Sequence, residues 1–157
     1  MLHYTSMSNP IVMFAAIVLS ATSPALAALG QPEASIEGDR QSLGGERTTA
    51  VGPSYSVATI TSTGLTVREY VSPDGIIFAV SWRGIGIPNL SVLLGDYFQA
   101  YEDARSESLK KEPKLRGPMA FATADLIIET GGHMRDLWGR AVAPALLPPS
   151  VTLQDIR

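Results

Sequence analysis

The chain has 157 residues, 45% of them hydrophobic and 17% charged, with a formal net charge of -3 and no cysteine. That length suits one domain, and the composition is too apolar and too weakly charged for a disordered chain. Without a basic excess there is nothing to neutralise a phosphate backbone, which argues against nucleic acid as a partner, and without cysteine there are no disulfides, thiolate metal sites or thiol nucleophile.

Residues Ile11 to Leu19 read IVMFAAIVL, an unbroken apolar run. It falls short of the about 20 residues that span a bilayer and matches a signal-peptide core. Ser20, Thr22, Ser23 and Pro24 break it, and Ala25-Leu26-Ala27 supplies the small-x-small pattern that a signal peptidase accepts. Cleavage after Ala27 is expected, giving a signal peptide over 1–27 and a single exported domain over 28–157, with no stable membrane anchor after cleavage. The stretch before Ile11 has no Lys or Arg, a departure from the usual pattern that admits a start at Met7 or upstream. An uncleaved anchor and a buried helix are the alternatives. Without cysteine, the lipoprotein route is closed.

In the remainder, Gln31 to Leu43 suits a short helix, with Pro32 and Glu33 in its first turn, Ile36 and Leu43 on one face, and Gly44-Gly45 ending it. Glu46 to Pro53 reads as a polar, flexible loop. Tyr55 to Thr61, Leu65 to Val71 and Ile76 to Trp82 are β-branched and aromatic runs separated by the turns Ser62-Thr63-Gly64 and Ser72-Pro73-Asp74-Gly75, the latter fitting a type I turn. They predict an antiparallel meander whose dry face carries Ile76, Phe78, Val80 and Trp82. Asn89 is a plausible N-cap for a principal helix in which Leu90, Leu93, Leu94, Tyr97, Phe98 and Tyr101 form one apolar stripe. Glu102 to Arg116 is a mixed-charge helix end or loop. A fourth strand is expected over Phe121 to Glu129, a hairpin turn at Gly131-Gly132, and a fifth strand over Met134 to Val142. Pro144, Pro148 and Pro149 stiffen an extended tail in which Ser150 caps a last helical turn. The fold class expected is α+β, about five mostly antiparallel strands on one main helix with a short helix in front.

No motif commits the chain to a chemistry. His133 is the one histidine of the segment expected to remain after cleavage, so a two-histidine metal site cannot be built there. A Ser-His-Asp triad would lack the Gly-x-Ser-x-Gly elbow. Gly84 to Asn89, GIGIPN, imitates a dinucleotide fingerprint but has Asn89 in place of the third glycine and Pro88 in place of a phosphate-binding amide. Arg68, Arg83, Arg135 and Arg140 lie on or beside three predicted strands and would form a carboxylate or phosphate site if they converged on one face. Cross-strand pairing with Glu69, Asp125 and Glu129 is the simpler account. Tyr70, Trp82, Tyr97, Tyr101 and Trp138 could stack on sugars, but the periodicity assigns most of them to a core or its rim. No cofactor is implied.

Several segments together resemble a known family. Leu65 to Gly75 (LTVREYVSPDG), Phe78 to Gly84 (FAVSWRG), Leu93 to Phe98 (LLGDYF), Glu129 to Arg135 (ETGGHMR), Gly139 to Ala141 and Leu146 to Pro148 occur in the order found in domain of unknown function family 2844, short exported bacterial proteins. The resemblance runs from about Ala28 to Arg157. It implies export and a single domain and brings no activity, substrate or catalytic residue.

Three functions remain open on the sequence. One is a non-enzymatic periplasmic or secreted accessory protein that binds an envelope protein or a small anionic ligand, with His133, Arg135, Arg140, Arg68 and Arg83 as candidate binding residues. Another is a hydrolase using His133, which requires a serine or carboxylate within about 3.2 Å of it. A purely structural envelope role is the third.

Overall fold

The computed structural model describes residues 29–111 and 117–157. The expected signal segment and its cleavage point at Ala27 lie outside them. Among the described residues, no helix is long and apolar enough to cross a membrane.

The fold is α+β, built on a seven-stranded antiparallel sheet in the order β1-β2-β3-β4-β7-β6-β5. The strands are β1 (Glu46–Val51), β2 (Ser56–Ser62), β3 (Leu65–Val71), β4 (Ile77–Gly84), β5 (Met119–Ala122), β6 (Ile127–His133) and β7 (Asp136–Val142). The helices are α1 (Ile36–Leu43), α2 (Leu90–Leu94) and α3 (Phe98–Lys111). Two meanders, β1 to β4 and β5 to β7, join edge to edge where β4 pairs with β7.

The expected five strands are therefore seven, for two reasons. The polar stretch after Gly45 is not a loop but β1, an edge strand paired residue by residue with β2. Nearly all of its side chains are exposed, so it has no inward alternation to betray it. The expected fourth strand is a hairpin. Thr123 closes a turn against Leu126, accepting its N–H at 3.0 Å through Oγ1 and donating its own N–H to the Leu126 carbonyl at 2.9 Å, which separates β5 from β6.

The one main helix is also interrupted. Gly95, with φ 50° and ψ −122°, breaks it after a single turn, and a 3-10 turn over Gly95–Tyr97 leads into α3. The apolar stripe survives the break: Leu93, Leu94 and Tyr101 are buried, and Leu90, Tyr97 and Phe98 pack against them. Asn89 caps the first turn, its side-chain oxygen accepting the Ser91 N–H at 3.1 Å. Asn89→Ala is expected to lower stability by about 1 kcal/mol. An unchanged urea midpoint would mean that packing alone holds the start of α2.

The helices cover one face of the sheet, where Ile36, Leu93, Leu94 and Tyr101 meet Ile60, Val67, Val80, Trp82, Ile128 and Ala141. The meander does not have a single dry face. Between Tyr70 and Val71 the register of β3 against β4 shifts from Tyr70↔Ala79 to Val71↔Ile77. This bulge puts Ile77 on the helix face with Val80 and Trp82, while Phe78 joins Tyr70, Ala79 and Val142 on the other. There the tail after β7 lies across the sheet and buries Val151 and Ile156 against them. Its last 3-10 turn, Leu153–Asp155, is capped by Thr152 rather than by Ser150. The Asp155 carboxylate accepts from the Thr152 N–H at 2.7 Å and from its hydroxyl at 2.8 Å.

Candidate functional site

Arg68, Ser81, Arg140 and Glu129 are aligned across β3, β4, β7 and β6. Arg68, Arg83 and Arg140 thus share the tail-covered side of the sheet, but they do not form an open anion site. Arg140 donates through Nε to Glu129 Oε2 at 2.9 Å and through Nη1 to the main-chain oxygens of Leu153 and Ile156. The main-chain oxygen of Arg157 accepts from Arg68 at 3.1 Å, Tyr70 at 2.7 Å and Ser81 at 2.9 Å. Arg83 forms a two-bond pair with Asp136, both contacts at 2.8 Å. That guanidinium holds the Asp136 carboxyl below the usual carboxylate range. The tail and two carboxylates thus engage three of the four candidate arginines.

Arg135 stands apart. The β6–β7 turn is not at Gly131-Gly132 but three residues later, at Met134-Arg135, with Arg135 in the left-handed region at φ 68°. Both glycines belong to β6 and serve close approach instead. Gly131 lies opposite Trp138, and a side chain there would come within 2.8 Å of the indole. At Gly132, with φ 112°, a Cβ would fall 2.1 Å from the Asp136 carbonyl oxygen. The indole of Trp138 therefore lies along the outside of the hairpin, 39% exposed, rather than in the core.

This end of the sheet carries an open cleft of about 580 Å³. Its walls include Ile85 and Ile87 from the β4–α2 connection, Met119 at the start of β5, and Met134, Leu137 and Trp138 from the hairpin. Of the five large hydrophobic residues exposed among those described, four line it: Ile85 and Ile87 at 58%, Met134 at 92%, and Trp138. His133 and Arg135 supply its ionisable side chains, and both are exposed. His133 faces Asp136 across the hairpin mouth and makes no hydrogen bond to a serine or carboxylate among the described residues. Nor is there, among the described residues, a group of three or more His, Asp or Glu side chains able to hold a metal ion.

Residues 25–156 match the model of the family described as protein of unknown function, DUF2844. The chain belongs to the DUF2844 family. No curated protein and no solved structure matches it. The DUF2844 match takes in all seven strands, the cleft, and the tail as far as its buried anchor Ile156.

Two ionisable residues of the DUF2844 domain are placed quite differently from any expectation. Glu69 does not join an ion-pair ladder with the arginines, because Arg68 and Glu69 are neighbours on β3 and must face opposite ways. It is 1% exposed on the helix side, against Asp39 of α1, which is 0% exposed. Burial pushes the Glu69 carboxyl up to about 9, aided by the Asp39 carboxyl beside it, which favours a shared proton and repels a second charge, while Arg47 pulls it down. The signal was in the sequence. Asp39 stands within the helical stripe between Ile36 and Leu43, and Glu69 alternates with Val67 and Val71, positions where an apolar side chain is the norm. Neither residue lines the cleft.

Proposed function

We propose that this DUF2844 protein is an exported accessory protein that acts by binding, through the cleft at the β6–β7 end of its sheet, and not by catalysis. The observation that carries the reading is the gathering of Ile85, Ile87, Met134 and Trp138 on one cleft bordered by His133 and Arg135. The fifth exposed hydrophobic, Val51, lies at the opposite end, paired with Ser56. Scattered apolar residues on a surface need no explanation, whereas a contiguous patch marks an interaction site. Either a protein partner or a small anionic ligand suits such a cleft. Export rests on residues 11–27. Cleavage after Ala27 would spare Leu29, which is fully buried and donates its N–H to the Leu93 carbonyl at 3.0 Å.

The test is capture of the tagged full chain from an envelope extract of the source cells, beside an Ile87→Asp/Met134→Asp variant of matching thermal stability. Native mass spectrometry would read both bound proteins and bound small molecules. The expected result is a species retained by the natural chain and lost from the variant, on protein whose intact mass begins at Ala28. The same set of species on both chains removes the cleft as the binding site, and an intact Met1 removes the cleavage.

A further inference from the structure

We propose that the ligand of the cleft is an anionic amphiphile of the fatty-acid type, its carboxylate on Arg135 and His133 and its acyl chain along Ile85, Ile87, Met119 and Trp138. The inference rests on the binding reading above and adds the class of ligand. Size is the first argument. The cleft holds about 580 Å³, within the roughly 300–1,000 Å³ typical of small-molecule sites. Charge is the second. Among the described residues that line the cleft there is no Asp or Glu, and its ionisable side chains there are His133 and Arg135. Asp136 follows Arg135 in sequence and could have neutralised it, but its carboxylate is turned to Arg83 through two hydrogen bonds.

Arg135 has no hydrogen bond or ion pair among the described residues. An arginine so placed presents a planar fork of donors that matches a carboxylate in two bonds. The polar group therefore sits at the lip and the apolar surface in the trough, which is the polarity of an amphiphile. A cationic amphiphile would find no acidic partner among the described lining residues, a neutral sugar head would leave the Arg135 charge unpaired, and a small inorganic anion would leave the apolar walls wet. Trp138 adds a broad, partly exposed ring surface against which a methylene chain can lie, anchored by its contact with Gly131.

Dodecanoate below its micellar concentration is the probe, titrated into the full exported chain and followed by calorimetry and tryptophan emission. Of the two tryptophans, Trp82 is 2% exposed and Trp138 is 39% exposed, so a ligand-dependent change reports on the cleft. One-to-one saturable binding is expected. Arg135→Glu should weaken it by about tenfold or more, the loss of a charge-assisted hydrogen bond, and Ile87→Asp/Met134→Asp should abolish it, both variants melting with the natural chain. Acetate should not bind. Dodecyl maltoside, with the same chain and no charge, should bind as weakly as dodecanoate does to Arg135→Glu. Equal binding of the two amphiphiles, with Arg135→Glu neutral, overturns the carboxylate assignment and leaves an apolar site. Failure of dodecanoate while a protein is still captured through the cleft overturns the amphiphile and leaves the binding reading. Failure of both overturns both. Attachment to phosphatidylglycerol vesicles without binding of monomeric dodecanoate overturns the proposal in favour of a membrane surface.

Discussion

Glu69→Gln is expected to stabilise the protein at pH 8 and to flatten the dependence of its stability on pH. Two carboxyls are buried against each other between α1 and β3, Asp39 at 0% and Glu69 at 1% exposure. The folded chain can hold such a pair with one proton between them, but a second charge would sit in a water-excluded interface. A carboxyl raised from 4.5 to about 9 keeps its proton in the folded state over a range in which the unfolded chain has given it up. In that window the folded state binds more protons, so stability falls as pH rises. It is fully present below the unfolded value of 4.5, declines through the window, and levels off above the folded value of about 9.

This direction is opposite to ordinary acid denaturation. The carboxyls of Glu37, Asp136 and Asp155 are lowered by hydrogen bonds with Arg40, Arg83 and Thr152 respectively, and contribute in the ordinary sense below the window. One pKa unit corresponds to about 1.4 kcal/mol, so a drop on the order of 2–4 kcal/mol between pH 5 and pH 8 is expected, a large share of the roughly 5–15 kcal/mol of a typical domain. The two carboxyls titrate as a unit, so Asp39→Asn should flatten the profile in the same way. Glutamine at 69 keeps the shape and can donate to the Asp39 carboxylate without a proton to lose. Urea unfolding of both chains at pH 5, 6.5 and 8 decides it. Stability of the natural chain that rises from pH 5 to pH 8, or an equal slope in Glu69→Gln, would falsify this account of the pair.

What was legible in the sequence was what local chemistry dictates. β3 spans Leu65–Val71 as read, because a β-branched run is bounded by Gly64 on one side and by Ser-Pro-Asp-Gly on the other. Asn89 and Gly44 punctuate their helices for the same reason. What stayed hidden depends on partners far away in the chain. β1 is a strand because β2 offers it a free edge, not because its side chains alternate. Gly131-Gly132 imitates a turn, yet the space it provides is for Trp138 and the Asp136 carbonyl across the hairpin. His133 and Arg135 could be singled out from residue chemistry alone, and both border the cleft. Nothing in GIGIPN singles out Ile85 and Ile87, because only the pairing of Gly84 with Leu137 brings that segment beside the hairpin.

Ile156→Ala is expected to destabilise the fold by about 2–5 kcal/mol, the range for removing a buried branched side chain. Ile156 is fully buried against the cluster of Tyr70, Phe78, Ala79 and Val142, and with Val151 it shields the second face of the sheet. The polar contacts of the tail are of another kind, since Arg68, Tyr70, Ser81 and Arg140 all reach main-chain oxygens and not side chains. Side-chain changes at exposed tail positions should leave that network intact, so Arg157→Ala should shift stability by no more than about 0.5 kcal/mol. Tyr70→Phe removes one hydroxyl that both donates to the Arg157 oxygen at 2.7 Å and accepts its N–H at 2.8 Å. Its effect should be near 1 kcal/mol per bond, about 1–3 kcal/mol in all. Deletion of residues 151–157 adds these losses and leaves Phe78 and Val142 open to water, so the shortened chain should bind hydrophobic dyes and lose cooperative unfolding. A truncated chain with the urea midpoint of the full one would mean that the tail rests on the sheet without holding it. The second face would then have to be stable while wet, which the burial of β4 from Ile77 to Trp82 on both sides contradicts.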